Sequence, residues 1–232
     1  MHLAVRGFFA RHDSFRGCSL CQLGGPHDSS SIVSYYVNDL APEFGFKPCQ
    51  IQEALLPENC ERPILFADDF TSSGNQATDI MKELMGHETQ LGEKHGLQLN
   101  EKERSALRTA KIGFLFVAGE PEGLTNLEKT LPEIGLGIPT CYAYIQALPR
   151  FDQSAGGALV EWAKMIGKAA LADDDPDHNE EWISKKCLGY GNNGYLLASS
   201  YNTPTQALTL LWKSGHPGKS SWKPLIPRRK KT

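Results

Sequence analysis

Two apolar runs of strand length, separated by a segment of helical period, constrain the fold of this chain more than any other feature. The runs are residues 64–67 and 112–118, and the segment between them is residues 75–91, which follows a Ser-Ser-Gly turn. The order strand, turn, helix, strand is typical of a layered α/β fold. We therefore expect a Rossmann-like, mostly parallel sheet flanked by helices.

The same alternation continues on both sides of this unit. Residues 18–23 predict a strand that stops at a Gly-Gly-Pro turn, and the Asp and Ser residues that follow predict a helix running to residue 37. Weaker patterns indicate strands at residues 50–54 and 137–143 and a short helix at residues 124–131. We assign residues 1–150 to the α/β core.

The pattern changes after residue 150. An amphipathic helix at residues 156–171 precedes an acidic loop, and a strand at residues 194–200 precedes a turn and a helical piece at residues 206–212. We interpret residues 151–232 as a C-terminal appendage, or hood, in which a helical insertion is followed by a strand and helix returning to the core. The basic end, residues 228–232, is expected to be a mobile tail.

Composition excludes several classes of protein. The 232 residues carry a net charge of −3 and a pI near 6.2, which disfavours tight nonspecific nucleic-acid binding by the whole chain. The sequence has no apolar run of membrane-spanning length and no secretory leader pattern, so we expect a cytoplasmic protein with no membrane partner. The six cysteines are too sparse for a disulfide framework, although four of them leave a zinc site open: Cys18, Cys21, Cys49 and Cys60.

The segment at residues 64–76 carries the clearest chemistry. Asp68 and Asp69 follow a buried strand directly, at the end where open α/β sheets bind ligands. The loop after them provides hydroxyls, a glycine and the amides of a following helix, which together suit an anion. The carboxylates can accept hydrogen bonds from hydroxyls, and the amides a few residues later can donate to a phosphate. This combination fits a phosphorylated pentose such as ribose 5-phosphate. The plainer alternative is a turn that ends the strand.

The segment resembles the signature of the type I phosphoribosyltransferases, in which four apolar residues, two acidic residues and a Thr/Ser-Gly loop open a helix. The resemblance implies that Asp68 and Asp69 contact the ribose hydroxyls of phosphoribosyl pyrophosphate (PRPP) in a catalytic role. It also implies Mg²⁺ brought by the ligand, with both acids as further candidate contacts. The residues implied to wrap the 5-phosphate are Thr71, Ser72, Ser73, Gly74, Asn75 and Gln76.

An upstream loop, residues 23–32, follows a strand, precedes a helix and is rich in small and hydroxyl residues. The family has a pyrophosphate-binding loop in this place. The resemblance assigns that role to Gly25, Asp28, Ser29, Ser30 and Ser31. An ordinary helix cap at Asp28 or Ser29 is the alternative.

Residues 188–212 and 222–228 contain Tyr-Asn-Thr-Pro and Trp-Lys-Pro-Leu. With residues 24–36 they resemble the phosphoribosyltransferase-like proteins of bacterial conflict and phage-defence loci, including those that accompany retrons. The resemblance implies a PRPP-dependent effector or toxin controlled by partner proteins, such as an ATPase or a reverse transcriptase, and their nucleic acid. Tyr201 and Asn202 are then candidates to line the acceptor pocket.

Two other functions stay open: a nucleobase salvage phosphoribosyltransferase and a catalytically silent module that binds PRPP or a nucleotide. Members of the family usually cover the site with a loop that carries basic residues. Between the two predicted phosphate loops, residues 41–61 contain Lys47 as their one basic residue. Hydrolysis of PRPP, an unusual acceptor and binding without catalysis are therefore all compatible with the sequence.

Overall fold

A computed structural model describes residues 1–24, 37–87, 98–172, 179–198, 203–204, 206–214 and 222–226. By its internal contacts the chain divides into two compact units, residues 1–147 and 148–232, which are described separately below. Among the described helices, none has both the length and the apolar character needed to cross a membrane.

The first unit is built on a five-stranded sheet whose strands are all parallel. The strands are β1 (Ser19–Gln22), β2 (Lys47–Pro48), β3 (Ile64–Thr71), β4 (Ile112–Gly119) and β5 (Thr140–Ile145). Their order is β2-β1-β3-β4-β5, so the direction in which strands are added reverses between β1 and β3. The predicted Rossmann-like α/β fold is confirmed. In such sheets the crevice at the reversal, beyond the carboxyl ends of the strands, is where ligands bind.

Helices cover both faces of this sheet. The described helices of the first unit are His2–Arg11, Ala41–Phe44, Ile51–Ala54, Asn75–Met85, Glu101–Thr109 and Pro121–Glu133. Successive side chains of β3 point to opposite faces of the sheet, as in any β-strand. Ile64 and Phe66 belong to the core shared with the helices Asn75–Met85 and Pro121–Glu133, whereas Leu65 belongs to the core shared with His2–Arg11.

Local signals set the limits of the helices that flank β3 and β4. Asn75–Met85 ends at Gly86, whose φ of +80° is the left-handed conformation that closes a helix, so the helix is shorter than the predicted 75–91. Residue 91 lies outside the described residues. Pro121–Glu133 is longer than the predicted 124–131, because Pro121 occupies the first turn, where its missing N–H costs nothing, and Pro132 is tolerated in the last turn.

The strand predicted at residues 50–54 is wrong. The Ile51–Ala54 segment is one turn of helix, in which Ile51 and Ala54, three residues apart, are both buried. This spacing belongs to a helix face and not to a strand. The strand in this part of the chain is β2, which is two residues long and is separated from Ile51 by two residues. The predicted strand at residues 137–143 corresponds to β5.

The second unit has its own small core. Its described helices are Phe151–Ser154, Gly157–Ala172, Glu180–Lys186 and Thr209–Trp212. The buried residues of its core are Val160, Ala163, Cys187, Leu188, Leu208 and Leu210. The strand predicted at residues 194–200 is wrong over its described part: Tyr195 makes isolated bridges to Arg150 and Ala207, and its neighbours at residues 196–198 are irregular.

Candidate functional site

The candidate site lies where β1 and β3 end side by side. Gln22 pairs with Ala67 in the parallel ladder, so Leu23 and Gly24 leave β1 next to Asp68 on β3. The two loops that the sequence assigns to pyrophosphate and 5-phosphate therefore start from neighbouring strands at the same edge of the sheet. This edge is also the reversal point of the strand order.

The two acidic residues occupy different environments. Asp68 is 4% exposed, and its Oδ1 accepts the backbone N–H of Asp69 at 2.8 Å. Asp69 is half-buried. Because successive side chains of a strand alternate, Asp68 continues the row of Phe66 and Asp69 the row of Leu65. The carboxylates thus lie on opposite faces of β3, and Asp69 is the more accessible of the two.

The loop after the acids leads into the amino end of a helix. Thr71 is the buried last residue of β3, Ser72 is half-buried and Ser73 is exposed. Gly74, at φ +76°, is the residue that precedes the helix Asn75–Met85, whose first turn contains no acidic side chain. The positive end of the helix dipole and the amides of the first helical turn lie at this loop, which is a favourable environment for an anion. Asn75 and Gln76 lie exposed in the first helical turn.

The helix Pro121–Glu133 supports this loop, which the sequence reasoning missed. A Cβ on Gly74 would lie 2.5 Å from the carbonyl oxygen of Gly123, and a Cβ on Gly123 would collide with the carbonyl oxygen of Ser72. Asn126 donates from Nδ2 to the carbonyl oxygen of Ser73 at 2.8 Å and to Oδ1 of Asn75 at 3.3 Å. A glycine inside a helix that directly follows a strand was the available signal for this close approach.

Lys47, the one basic residue within residues 41–61, does not lie at the candidate site. Lys47 lies on β2 opposite Ser19, the first residue of β1, and therefore away from the carboxyl end. Its ammonium group donates to Oε1 of Glu53 at 2.6 Å, and this hydrogen bond raises the pKa of Lys47. Lys47 is thus neutralised by an ion pair at the opposite end of the sheet from the loops.

Several predicted site residues lie outside the described residues. They are Gly25, Asp28, Ser29, Ser30 and Ser31 of the upstream loop, and Tyr201 and Asn202 of the acceptor pocket. The pyrophosphate and acceptor assignments stay predictions. What the structure adds is the anchor of the upstream loop, because Gly24 leaves β1 beside Asp68.

The described residues contain no cluster of three or more His, Cys, Asp or Glu side chains that could hold a metal ion. The zinc alternative is therefore not supported. Cys18 is buried, which raises the pKa of its thiol to about 12, and Cys60 is exposed. Cys21 and Cys49 hydrogen-bond to each other. For magnesium, which is held by one or two carboxylates together with substrate phosphates, the half-buried Asp69 beside an anion loop is a suitable donor.

Comparison with known proteins agrees with this architecture. No curated protein and no solved structure matches the chain. A family model described as PRTase-CE matches residues 8–228, which is nearly its full length. The parallel sheet, the acids that end β3 and the glycine loop that opens the next helix thus occur in a chain that belongs to the PRTase-CE family of phosphoribosyltransferase-like proteins.

Proposed function

We propose that this protein binds PRPP at the carboxyl edge of β1 and β3 and transfers its phosphoribosyl group, displacing pyrophosphate from C1 of the ribose. The observation that carries the proposal is the junction of β3 with the helix Asn75–Met85. There a half-buried carboxylate, Asp69, and a loop of backbone amides at a helix start lie a few residues apart on one chain segment. That pairing matches a sugar hydroxyl next to a phosphate.

Each group has a separate task in this reaction. Asp69 accepts hydrogen bonds from the ribose hydroxyls, and its charge favours the positive charge that builds on the ring. The loop at residues 71–74 binds the 5-phosphate. Asp68, which accepts the Asp69 amide, holds the strand end in place. Bound Mg²⁺ supplies stabilisation of the negative charge on the departing pyrophosphate. Neither aspartate needs to take up a proton.

Calorimetric titration with Mg-PRPP tests the binding site. We expect Asp69→Asn to weaken binding by about tenfold to a hundredfold, because hydrogen bonds to a charged acceptor contribute about 1.5–3 kcal/mol. Asp68→Asn keeps an oxygen that accepts the Asp69 amide and should lose less. Asp13→Asn is the matched control, since Asp13 is exposed and precedes the amino end of β1. Absence of binding by the wild-type protein would refute the proposal.

A second candidate function, a silent module that binds PRPP or a nucleotide, is favoured by the ion pair of Lys47 with Glu53. Residues 41–61 then offer no unpaired cation to close over a departing pyrophosphate. The two functions differ in product formation. Pyrophosphate release from PRPP that depends on an added nucleobase indicates a transferase, and release without one indicates hydrolysis, whereas magnesium-dependent binding without release indicates the silent module.

We also propose that the reaction serves bacterial phage defence, with the protein as an effector or toxin held in check by partner proteins and their nucleic acid. The support is the resemblance of residues 188–212 and 222–228 to proteins of conflict and retron loci. Induced expression without partners should arrest growth and deplete cellular PRPP, and Asp69→Asn should relieve both effects. Normal growth with unchanged PRPP would favour a salvage enzyme or a silent module.

A further inference from the structure

Three successive backbone carbonyl groups, those of Thr71 at the end of β3 and of Ser72 and Ser73 in the loop after it, face the amino-terminal part of the helix Pro121–Glu133 and the residue that precedes it. The carbonyl oxygen of Thr71 accepts the N–H of Glu120 at 3.0 Å. That of Ser72 lies against Gly123, and that of Ser73 accepts Nδ2 of Asn126 at 2.8 Å. Glu120 is the residue that precedes the helix, and positions 123 and 126 are three residues apart and therefore share a helix face. The contacts form a continuous row along it.

This row fixes the direction of the loop amides. In a trans peptide the N–H points opposite to the carbonyl of the same unit, and the described residues contain no cis peptide bond. With the carbonyls of Thr71, Ser72 and Ser73 facing the helix, the N–H groups of Ser72, Ser73 and Gly74 point away from it. Successive amides that point to one side form the concave anion site found in phosphate-binding loops.

The side chain of Asn126 is itself oriented by a neighbour. Thr130 donates its hydroxyl to Oδ1 of Asn126 at 3.2 Å. With the oxygen of its amide engaged by Thr130, the nitrogen of Asn126 faces the loop and reaches both Ser73 and Asn75. The hydrogen bonds at Oδ1 and at Nδ2 thus define a single orientation of the Asn126 side chain.

We infer that Asn126 is a positioning residue of the 5-phosphate site: by holding the Ser73 carbonyl against the helix Pro121–Glu133, it turns the Gly74 amide toward the phosphate. Asn126 does not touch the ligand in this arrangement. The inference rests on the proposed function, because the anion is the 5-phosphate of PRPP. It assigns to this helix a part in ligand binding that no motif in the sequence indicates.

Titration calorimetry of Mg-PRPP with four variants tests the inference. Asn126→Ala removes the donor and should weaken binding by about tenfold, the worth of one hydrogen bond. Asn126→Asp places a carboxylate against the Ser73 carbonyl and should weaken it at least as much. Thr130→Val leaves the loop contacts in place but frees the amide to rotate, so a loss of about threefold is expected. Thr125→Ala, an exposed neighbour on the same helix, should bind like the wild type.

A spectroscopic readout separates positioning from a general loss of stability. The chain contains two Ser-Gly peptides, Ser73–Gly74 and Ser214–Gly215. Protein labelled with carbonyl-¹³C serine and ¹⁵N glycine therefore gives two selected amide signals, which Ser214→Ala distinguishes. Mg-PRPP should move the Gly74 amide proton downfield in the wild type, as a new hydrogen bond to phosphate requires. In Asn126→Ala, at saturating ligand, this movement should be smaller.

The outcomes distinguish the inference from the proposed function. Weakened binding by Asn126→Ala and Asn126→Asp with a reduced Gly74 shift supports the inference. Wild-type affinity and an unchanged Gly74 shift in both variants overturn it and leave the proposed function standing. If the wild-type protein does not bind Mg-PRPP, the proposed function fails and the inference fails with it. Circular dichroism melts show whether each variant is folded, and Thr130→Val tests the same orientation without removing any loop contact.

Discussion

Different kinds of contact stabilise the interior of each of the two units. In the first, a parallel ladder with apolar residues on both faces carries the fold, and the polar loops begin where strands end. In the second, single side chains bonded to the backbone direct the chain: Thr209 donates to the carbonyl of Lys186 at 3.1 Å, and Trp222 to that of Leu210 at 2.9 Å. The ladder places polar loops at the carboxyl ends of its strands, whereas the side chains of Thr209 and Trp222 bond to the backbone of their own unit.

A matched pair of glycines shows the same contrast. Gly123 in the first unit and Gly167 in the second both lie inside helices, and a Cβ on either would collide with a backbone carbonyl oxygen. The carbonyl belongs to Ser72 of the candidate phosphate loop in one case and to Cys187 of the small core in the other. The same steric collision should therefore affect function in the first unit and structure in the second.

The largest effect is expected from Gly123→Ala. Replacing a helical glycine by alanine normally stabilises by about 0.5–1 kcal/mol, but here the added methyl displaces the Ser72 carbonyl and should cost about 1–3 kcal/mol. A displacement of about 1 Å in the loop should lower PRPP turnover on the order of a hundredfold. Chemical denaturation and pyrophosphate release measure the two effects.

Gly137→Ala is the control for this change, because a Cβ there meets nothing within 4 Å. It should leave stability and turnover close to those of the wild type. A Gly123→Ala protein that is more stable than the wild type and equally active would show that the loop does not depend on the helix Pro121–Glu133.

Gly167→Ala should destabilise the second unit by about 1–3 kcal/mol through the collision with Cys187. Affinity for Mg-PRPP should stay within about twofold, because the atoms that the added methyl meets belong to Cys187 of the same unit. Hydrogen exchange resolved by peptide shows where protection is lost, and calorimetry shows the affinity. Gly157→Ala, with open space around its Cβ, is the control. Loss of PRPP affinity together with stability would contradict the contrast between the units.

Asn192 tests how much the second unit depends on one side chain. Its φ is +55°, its Nδ2 donates to the carbonyl of Ser184 at 2.8 Å, and its Oδ1 accepts the N–H of Leu188 at 3.3 Å. Asn192→Gly keeps the backbone conformation and should lose about 1 kcal/mol of unfolding free energy. Asn192→Ala adds about 1 kcal/mol for a left-handed alanine. Equal stability of the two variants would mean that the backbone conformation is not strained.

Much of the first unit could be predicted from sequence because its signals are local. The long apolar runs of β3 and β4 identify buried parallel strands, and the Ser-Ser-Gly turn locates the start of the next helix. Short apolar patterns do not distinguish one turn of helix from a short strand, because both contain the same few apolar residues. The strand predicted at residues 50–54 is wrong for this reason, since Ile51–Ala54 is helical. Periodicity also cannot give contacts between distant segments. Asn126 lies 53 positions from Ser73 in the chain, so its role depends on how helix and loop meet.

The smallest expected effect is a difference in thiol reactivity between a cysteine of the first unit and a cysteine of the second. The hydrogen bond from Cys21 lowers the pKa of Cys49 to about 7, whereas burial raises the pKa of Cys187 in the second unit. Since the thiolate is the reactive form, alkylation of Cys49 by iodoacetamide should rise with pH, be half-maximal near pH 7 and level off above about pH 8. Cys187 should stay largely unmodified over this range. Mass spectrometry of peptides measures each site separately.

Cys21→Ala separates the hydrogen bond from the rest of the surroundings of Cys49. Without the donated S–H, the thiolate of Cys49 loses its main stabilisation, so the midpoint of alkylation should move from about 7 toward the ordinary thiol value of about 8.5. Cys21→Ser keeps a hydroxyl donor at the same position and should retain a low midpoint. Cys21 lies on β1, where it pairs with Phe66 of β3. If the midpoint is unchanged in Cys21→Ala, another group sets the reactivity of Cys49, and the difference between the thiols of the two units reduces to exposure.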